Sequence, residues 1–151
     1  MNLMRTDGSA QSLGALGESH AGDKLREKGW LVDVPTDKRC GDLRLIDPYT
    51  GEILKAEIKT ARLGSRNRWQ FCLRKNHPSG RAKTDCAKSD VVILQCVAIT
   101  GLVVTYVIPA WALNGRNSIE IVRGRESKWQ HYLSDYQIME VHHETTISKA
   151  A

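Results

Sequence analysis

The sequence lacks the features that mark several protein classes. Its 151 residues contain no apolar run as long as a membrane span, and no signal-peptide pattern opens the chain. The four cysteines, at positions 40, 72, 86 and 96, form no C-x-x-C pair and match no familiar zinc site. No internal repeat or linker divides the chain. These absences favour a single cytoplasmic domain with reduced cysteines and no membrane association.

What the sequence does contain is an ordinary apolar content and a concentrated positive charge. Hydrophobic residues make up 41% and charged residues 26%, which is typical of a globular domain with one core. The net charge of +5 favours an acidic partner, nucleic acid rather than membrane. Segment 55–88 alone holds ten Lys or Arg residues against Glu57 and Asp85. This clustering is typical of a phosphate-contacting groove, although a solvated basic surface is the simpler alternative.

Hydrophobic periodicity predicts helices and strands along one α/β domain at 13–141. Gly29 ends the first predicted helix, and Pro109 begins a short later one. We expect helices over 13–28, 109–113 and 126–134, and strands over 30–34, 69–73, 90–99, 102–108 and 119–122. The expected irregular segments are a loose N-terminal arm at 1–12, a long loop at 76–89 and a polar C-terminal tail at 142–151.

The most informative stretch, residues 40–60, predicts a β-hairpin. Apolar and polar residues alternate on both arms, and 48–51 suits a four-residue loop. Cross-strand partners then have numbers that add up to 99, so Asp42 lies opposite Glu57 and Arg44 opposite Lys55. Lys59 follows one step further on the same face. A bulge or a five-residue loop would shift this register by one residue.

Two carboxylates and an amine at one end of a hairpin favour chemistry with a divalent metal. Close carboxylates repel each other unless one is protonated, cations surround them, or they share a metal ion. Mg²⁺ is usually held by one or two carboxylates together with water and phosphate oxygens. A lysine beside such an ion can orient an attacking water or stabilise charge on a phosphate. The pattern therefore favours metal-assisted phosphodiester hydrolysis.

Asp42, fourteen intervening residues and Glu57-Ile58-Lys59 together resemble the motif of the PD-(D/E)XK nuclease superfamily. One position departs from the motif's name, because Gly41 rather than proline precedes Asp42. Over about 16–97, the arrangement is similar to that of small Holliday-junction resolvases and group I intron-encoded endonucleases. The resemblance implies a restriction-endonuclease-like α/β domain, with a mixed central sheet flanked by helices.

The same resemblance implies roles for individual residues. Glu18, Asp42 and Glu57 would hold Mg²⁺, or Mn²⁺ in its place, together with the backbone carbonyl of Ile58. Lys59 would assist the attacking water, and the product would carry a 5′ phosphate. The basic residues expected to contact DNA are Arg62, Arg66, Arg68, Arg74, Lys75, Arg81 and Lys83. One chain carries one such site, so cutting two strands predicts a homodimer or a higher symmetric oligomer.

Several interpretations remain open at this point. The small size, with no separate recognition domain, favours a structure-specific enzyme that cuts Holliday junctions. A sequence-specific intron-type or restriction-type endonuclease fits the same size. A non-catalytic nucleic-acid-binding module would use the basic segment alone, with Asp42 and Glu57 as ordinary strand carboxylates offset by Arg44 and Lys55. Glu18, for its part, is a solvated helix residue in the simpler interpretation.

Overall fold

The computed structural model describes residues 10–36, 41–75, 83–84, 89–113 and 115–138. Two short 3₁₀ turns, at Ser65–Asn67 and Gln130–Tyr132, accompany the regular elements. The helices are α1 (Ala10–Glu27) and α2 (Ala110–Leu113). The strands are β1 (Leu31–Asp33), β2 (Leu43–Ile46), β3 (Ile53–Arg62), β4 (Arg68–Cys72), β5 (Arg74–Lys75), β6 (Lys83–Thr84), β7 (Val91–Val97), β8 (Val103–Pro109) and β9 (Ser118–Val122).

A mixed five-stranded sheet, in the order β1-β2-β3-β7-β8, forms the centre of the fold. Strands β3 and β7 pair in parallel, while the other three neighbouring pairs are antiparallel. Helix α1 packs on one face of this sheet. The other face is covered by a separate antiparallel ribbon of β4 and β9. The prediction of an α/β domain with a mixed central sheet is therefore confirmed.

The central hairpin has the register that the sequence predicts. Leu43 pairs with Ala56 and Ile46 pairs with Ile53, so partner numbers add up to 99. The loop is fixed by Asp47, whose carboxylate accepts the N–H groups of Tyr49 at 2.8 Å and Thr50 at 3.3 Å. This use of an aspartate side chain stabilises the turn locally, next to the paired residues 43–46 and 53–56.

Two apolar cores lie on opposite faces of the sheet. Helix α1 contributes Ala21 and Leu25 to the first core, and the ribbon contributes Trp69 and Phe71 to the second. On β3, the residues that face the first core are Leu54, Ala56 and Ile58, and on β7 they are Val91 and Ile93. Because strand residues alternate between faces, Glu57 and Lys59 point to the ribbon side. Trp129 and Tyr132 also belong to the second core.

A row of polar side chains crosses the sheet under α1. Thr60 pairs with Gln95, and Gln95 pairs with Thr105, on three adjacent strands. The fully buried Gln95 donates from Nε2 to the Gly17 carbonyl and to Thr60 Oγ1, both at 2.9 Å. Its Oε1 accepts the Tyr136 hydroxyl at 2.7 Å, and burial raises the pKa of Tyr136 to about 12. This network fixes α1 and the C-terminal segment on the sheet.

The predicted elements differ from the structure mainly at their ends. Helix α1 begins at Ala10, inside the predicted N-terminal arm, and ends at Glu27. Most strand bounds move by one or two residues, and the last predicted helix is only a 3₁₀ turn at Gln130–Tyr132. Within the predicted loop at 76–89, residues 83–84 form β6, which pairs with β5. Segments 76–82, 85–88 and the tail at 142–151 lie outside the described residues.

Two glycines of α1 provide a matched test of the helix contact. A Cβ at Gly17 would lie 2.0 Å from Thr60 Oγ1, whereas a Cβ at Gly14 would meet nothing within 4 Å. Gly14→Ala should raise the free energy of unfolding by about 0.5–1 kcal/mol, because alanine favours helix. Gly17→Ala should lower it by about 1–3 kcal/mol, because α1 must move off the sheet. Urea unfolding measures both, and equal stabilisation by the two changes would contradict the contact.

Candidate active site

The candidate site lies where β2 begins beside the middle of β3. The regular ladder of these strands begins at Leu43 and Ala56. Just before it, the Asp42 N–H donates to the Ala56 carbonyl at 3.1 Å, and Asp42 Oδ2 accepts the Ile58 N–H at 2.8 Å. The carboxylate thus takes the position that a backbone carbonyl of β2 would otherwise occupy. This hydrogen bond holds Asp42 against the backbone of Ile58, the residue that follows Glu57.

Glu57 and Lys59 form an ion pair on the face of β3 that points to the ribbon. They are two residues apart on one strand, and Lys59 Nζ lies 3.7 Å from Glu57 Oε1. Their side chains are only 11% and 21% exposed. The partners of the two residues on β7 are Val92 and Leu94, both fully buried. A charged pair therefore stands at the border of the ribbon-side core, where its attraction is less screened than on an open surface.

The donor atoms here are those that Mg²⁺ prefers. The carboxylates of Asp42 and Glu57 are hard oxygen ligands. In an extended strand the N–H and C=O of one residue point to the same side, so the Ile58 carbonyl faces the same edge as the N–H that Asp42 accepts. Two carboxylates and a carbonyl fit an ion that keeps several waters.

Glu18 is placed differently from the other predicted ligands. It follows Gly17, the residue at which α1 lies against Thr60 of β3. Helix α1 packs on the sheet face that carries the first core, whereas Glu57 and Lys59 point to the ribbon side. Within the described ranges, no group of three or more His, Cys, Asp or Glu side chains lies close enough to hold a metal ion. Glu57 thus contacts Lys59, and Asp42 contacts the N–H of Ile58, the residue between them. The metal-binding role of Glu18 stays a prediction.

The basic residues expected to contact DNA occupy three regions. Arg62 ends β3, and the exposed Arg66 lies in the Ser65–Asn67 turn with a φ of 60°. Arg68 lies on the ribbon and forms an ion pair with Glu120. Three more backbone positions belong to the small β5–β6 pair: Arg74, Lys75 and Lys83. Arg81 lies outside the described residues, as does His77.

The structure adds a second basic set that the sequence analysis did not single out. Arg123 is joined to the β3–β4 turn, since its N–H donates to the Asn67 carbonyl at 2.9 Å. Arg116 and Lys128 lie over the Trp129 ring, 5.5 and 5.0 Å from its centroid. These cations come from chain 50 or more residues beyond Arg66, so no charge run reveals them. Only the pairing of β4 with β9 places Arg116 and Arg123, which flank β9 in sequence, next to the first basic set.

Comparisons with known proteins support the fold. No protein-family model matches the chain, and no curated protein matches it in sequence. Among solved structures, a bacterial homing endonuclease, I-Ssp6803I, has a similar fold, with a TM-score of 0.66 and 17% sequence identity. The match covers 95% of this chain and 99% of that one. The chain therefore has a fold similar to that of this endonuclease. No helix in the described part of the chain is long and apolar enough to cross a membrane.

Two substitutions of Asp42 should separate its structural contact from its charge. Asp42→Ala leaves the Ile58 N–H without its partner, and should lower the free energy of unfolding by about 1–3 kcal/mol. Asp42→Asn keeps an acceptor oxygen and should stay within about 1 kcal/mol of wild type. Urea unfolding followed by circular dichroism measures both values. Identical stability of the alanine variant and wild type would show that the hydrogen bond contributes nothing.

Proposed function

We propose that this chain is a DNA endonuclease that hydrolyses phosphodiester bonds with the help of Mg²⁺ or Mn²⁺. The observation that carries the proposal is the Glu57–Lys59 ion pair beside an Asp42 carboxylate fixed on the Ile58 N–H. These groups combine the oxygen ligands of a hard metal ion with a cation placed next to them. The likeness in fold to a homing endonuclease supports the same class of function.

The residues present fit a divalent ion, with Asp42, Glu57 and the Ile58 carbonyl as the groups that would hold it. When bound, such an ion would lower the pKa of a bound water and offset negative charge on the phosphate. Asp42 would keep its orientation throughout, because its second oxygen is fixed by the Ile58 N–H. Glu18 is proposed as a further ligand, contributed from α1.

Lys59 has the position of a group that supports the attacking water. Its ammonium lies 3.7 Å from Glu57 Oε1, so it lies at the carboxylate rather than in bulk solvent. From there it can donate hydrogen bonds to a water or to a non-bridging phosphate oxygen. Attack of that water on phosphorus with loss of the 3′ oxygen would leave a 5′ phosphate. The partial burial of the pair strengthens each of these interactions.

The substrate that we propose is double-stranded DNA. Arg68 lies on the ribbon and Arg123 at the turn before it, and Arg116 and Lys128 lie over Trp129 of the second core. From there these cations can contact the backbone of a duplex. The similar structure is a homing endonuclease, which favours the intron-type or restriction-type alternative over a Holliday-junction enzyme. Since one chain carries one site, cutting both strands requires a homodimer or a larger symmetric assembly.

Cleavage assays with matched lysine variants test this function. Labelled linear duplex pools and four-way junctions are incubated with Mg²⁺, Mn²⁺ or EDTA. Glu57→Gln and Lys59→Met should each lower the cleavage rate by at least about 100-fold, because each removes a charge that contacts the reacting groups. Lys24→Met on α1 serves as the control, and it should cut at the wild-type rate. Divalent metal should be required throughout.

The outcomes separate the open interpretations. Cutting of the junction alone would replace the duplex proposal with a structure-specific enzyme. Retained cutting in EDTA, or by Lys59→Met, would overturn the proposed site. Absence of any cleavage, with DNA binding that weakens as salt rises, would identify a non-catalytic binding module instead.

A further inference from the structure

The ribbon of β4 and β9 has one buried face and one polar face. Four large side chains point into the second core: Trp69, Phe71, Ile119 and Ile121. The alternate residues point away from the sheet, and Gln70, Ser118 and Glu120 among them are exposed. The buried face is what holds the ribbon in place, so the outward face is carried on a rigid support.

The outward side chains form a connected group rather than a set of independent solvated residues. Gln70 and Glu120 are direct cross-strand partners, and Gln70 Nε2 donates to Glu120 Oε2 at 3.4 Å. Arg68 donates from Nη1 to the other oxygen of Glu120. The hydrogen bond from Arg68 lowers the pKa of Glu120 most, and the one from Gln70 lowers it further. Arg68 Nε is buried and has no hydrogen-bond partner among the described residues.

Exposed arginines and lysines lie at both ends of this group. Arg66 and Arg123 lie at the end formed by the Ser65–Asn67 turn, where Arg125 follows two residues later. At the other end, Arg116 precedes β9 and lies over Trp129 together with Lys128. A single Glu126 lies near Arg125 in sequence. A polar centre with cations at both ends matches the base edges and flanking phosphates of a DNA groove.

The dimensions and the placement also fit. Five residues per strand give a ribbon about 17 Å long. The major groove is about 12 Å wide and admits a two-stranded β-ribbon. The ribbon covers β7 and β8 on the face from which Glu57 and Lys59 project on the neighbouring β3. A duplex that contacts the ribbon would therefore extend along the same face as the candidate active site.

We propose that the outward face of the β4–β9 ribbon enters the major groove and that Gln70, Glu120 and Arg68 read base edges there. Glutamine pairs with adenine, arginine with guanine, and a carboxylate accepts from cytosine. This proposal rests on the proposed function, and it adds a recognition surface and a sequence-defined duplex as the substrate class. The Arg68 contact offsets the charge of Glu120, which phosphates would otherwise repel.

The test is selection from a randomised duplex library, carried out in two forms. Binding selection uses Ca²⁺ in place of Mg²⁺, and cleavage selection uses Mg²⁺. Wild type, Gln70→Ala and Glu120→Gln are compared with Gln137→Ala, an exposed glutamine outside the ribbon. The ribbon variants should lose roughly tenfold to a hundredfold of the preference at one or two neighbouring base pairs. The other positions, and the whole profile of Gln137→Ala, should match wild type.

The two proposals fail in different ways. If wild type cuts duplex DNA with no preferred sequence, or if the ribbon variants keep the wild-type preference, the readout proposal is overturned while the endonuclease stands. If wild type selects a sequence through Gln70 but never cuts it, recognition by the ribbon is upheld and catalysis is overturned. Thermal unfolding of each variant checks that it is folded. We expect little change in stability, because Gln70 and Glu120 are both exposed.

Discussion

The site depends on the place where β3 changes partners. This strand has ten residues, and β2 pairs only with its first four, while β7 pairs from Ala56 onward. Beyond Ala56, none of the described strands pairs with β3 on the β2 side, and Asp42 satisfies the Ile58 N–H there. A β2 two residues longer would fill this edge with main-chain hydrogen bonds. Because β2 starts only at Leu43, this edge has a position for the Asp42 carboxylate.

The local part of this arrangement could be predicted from the sequence. The hairpin register follows from alternation and a loop of four residues, and it holds from Leu43–Ala56 to Ile46–Ile53. Helix α1 follows from its periodicity and from Gly29, whose φ of 98° ends it. The apolar β7–β8 hairpin is equally local. Each of these features depends on contacts between residues close in sequence.

The non-local part could not be predicted from the same reasoning. The parallel β3–β7 pairing and the β4–β9 ribbon join residues that are 35 to 54 positions apart, and their patterns of alternation fit several partners equally well. Gly17 shows the same limit. In the sequence it only weakens the helix, whereas in the structure the missing side chain lets α1 approach Thr60. The second basic set depends on the same pairing, because β9 brings Arg123 to the turn that precedes β4.

The buried Gln95 has a consequence for how the molecule opens. One side chain joins the first helix, through the Gly17 carbonyl, to the last described segment, through Tyr136. Neither end can detach from the sheet without leaving a buried amide group unpaired, so local fraying at either end carries the cost of disrupting the centre. The two ends of the described chain are thus part of one cooperative unit with the central strands.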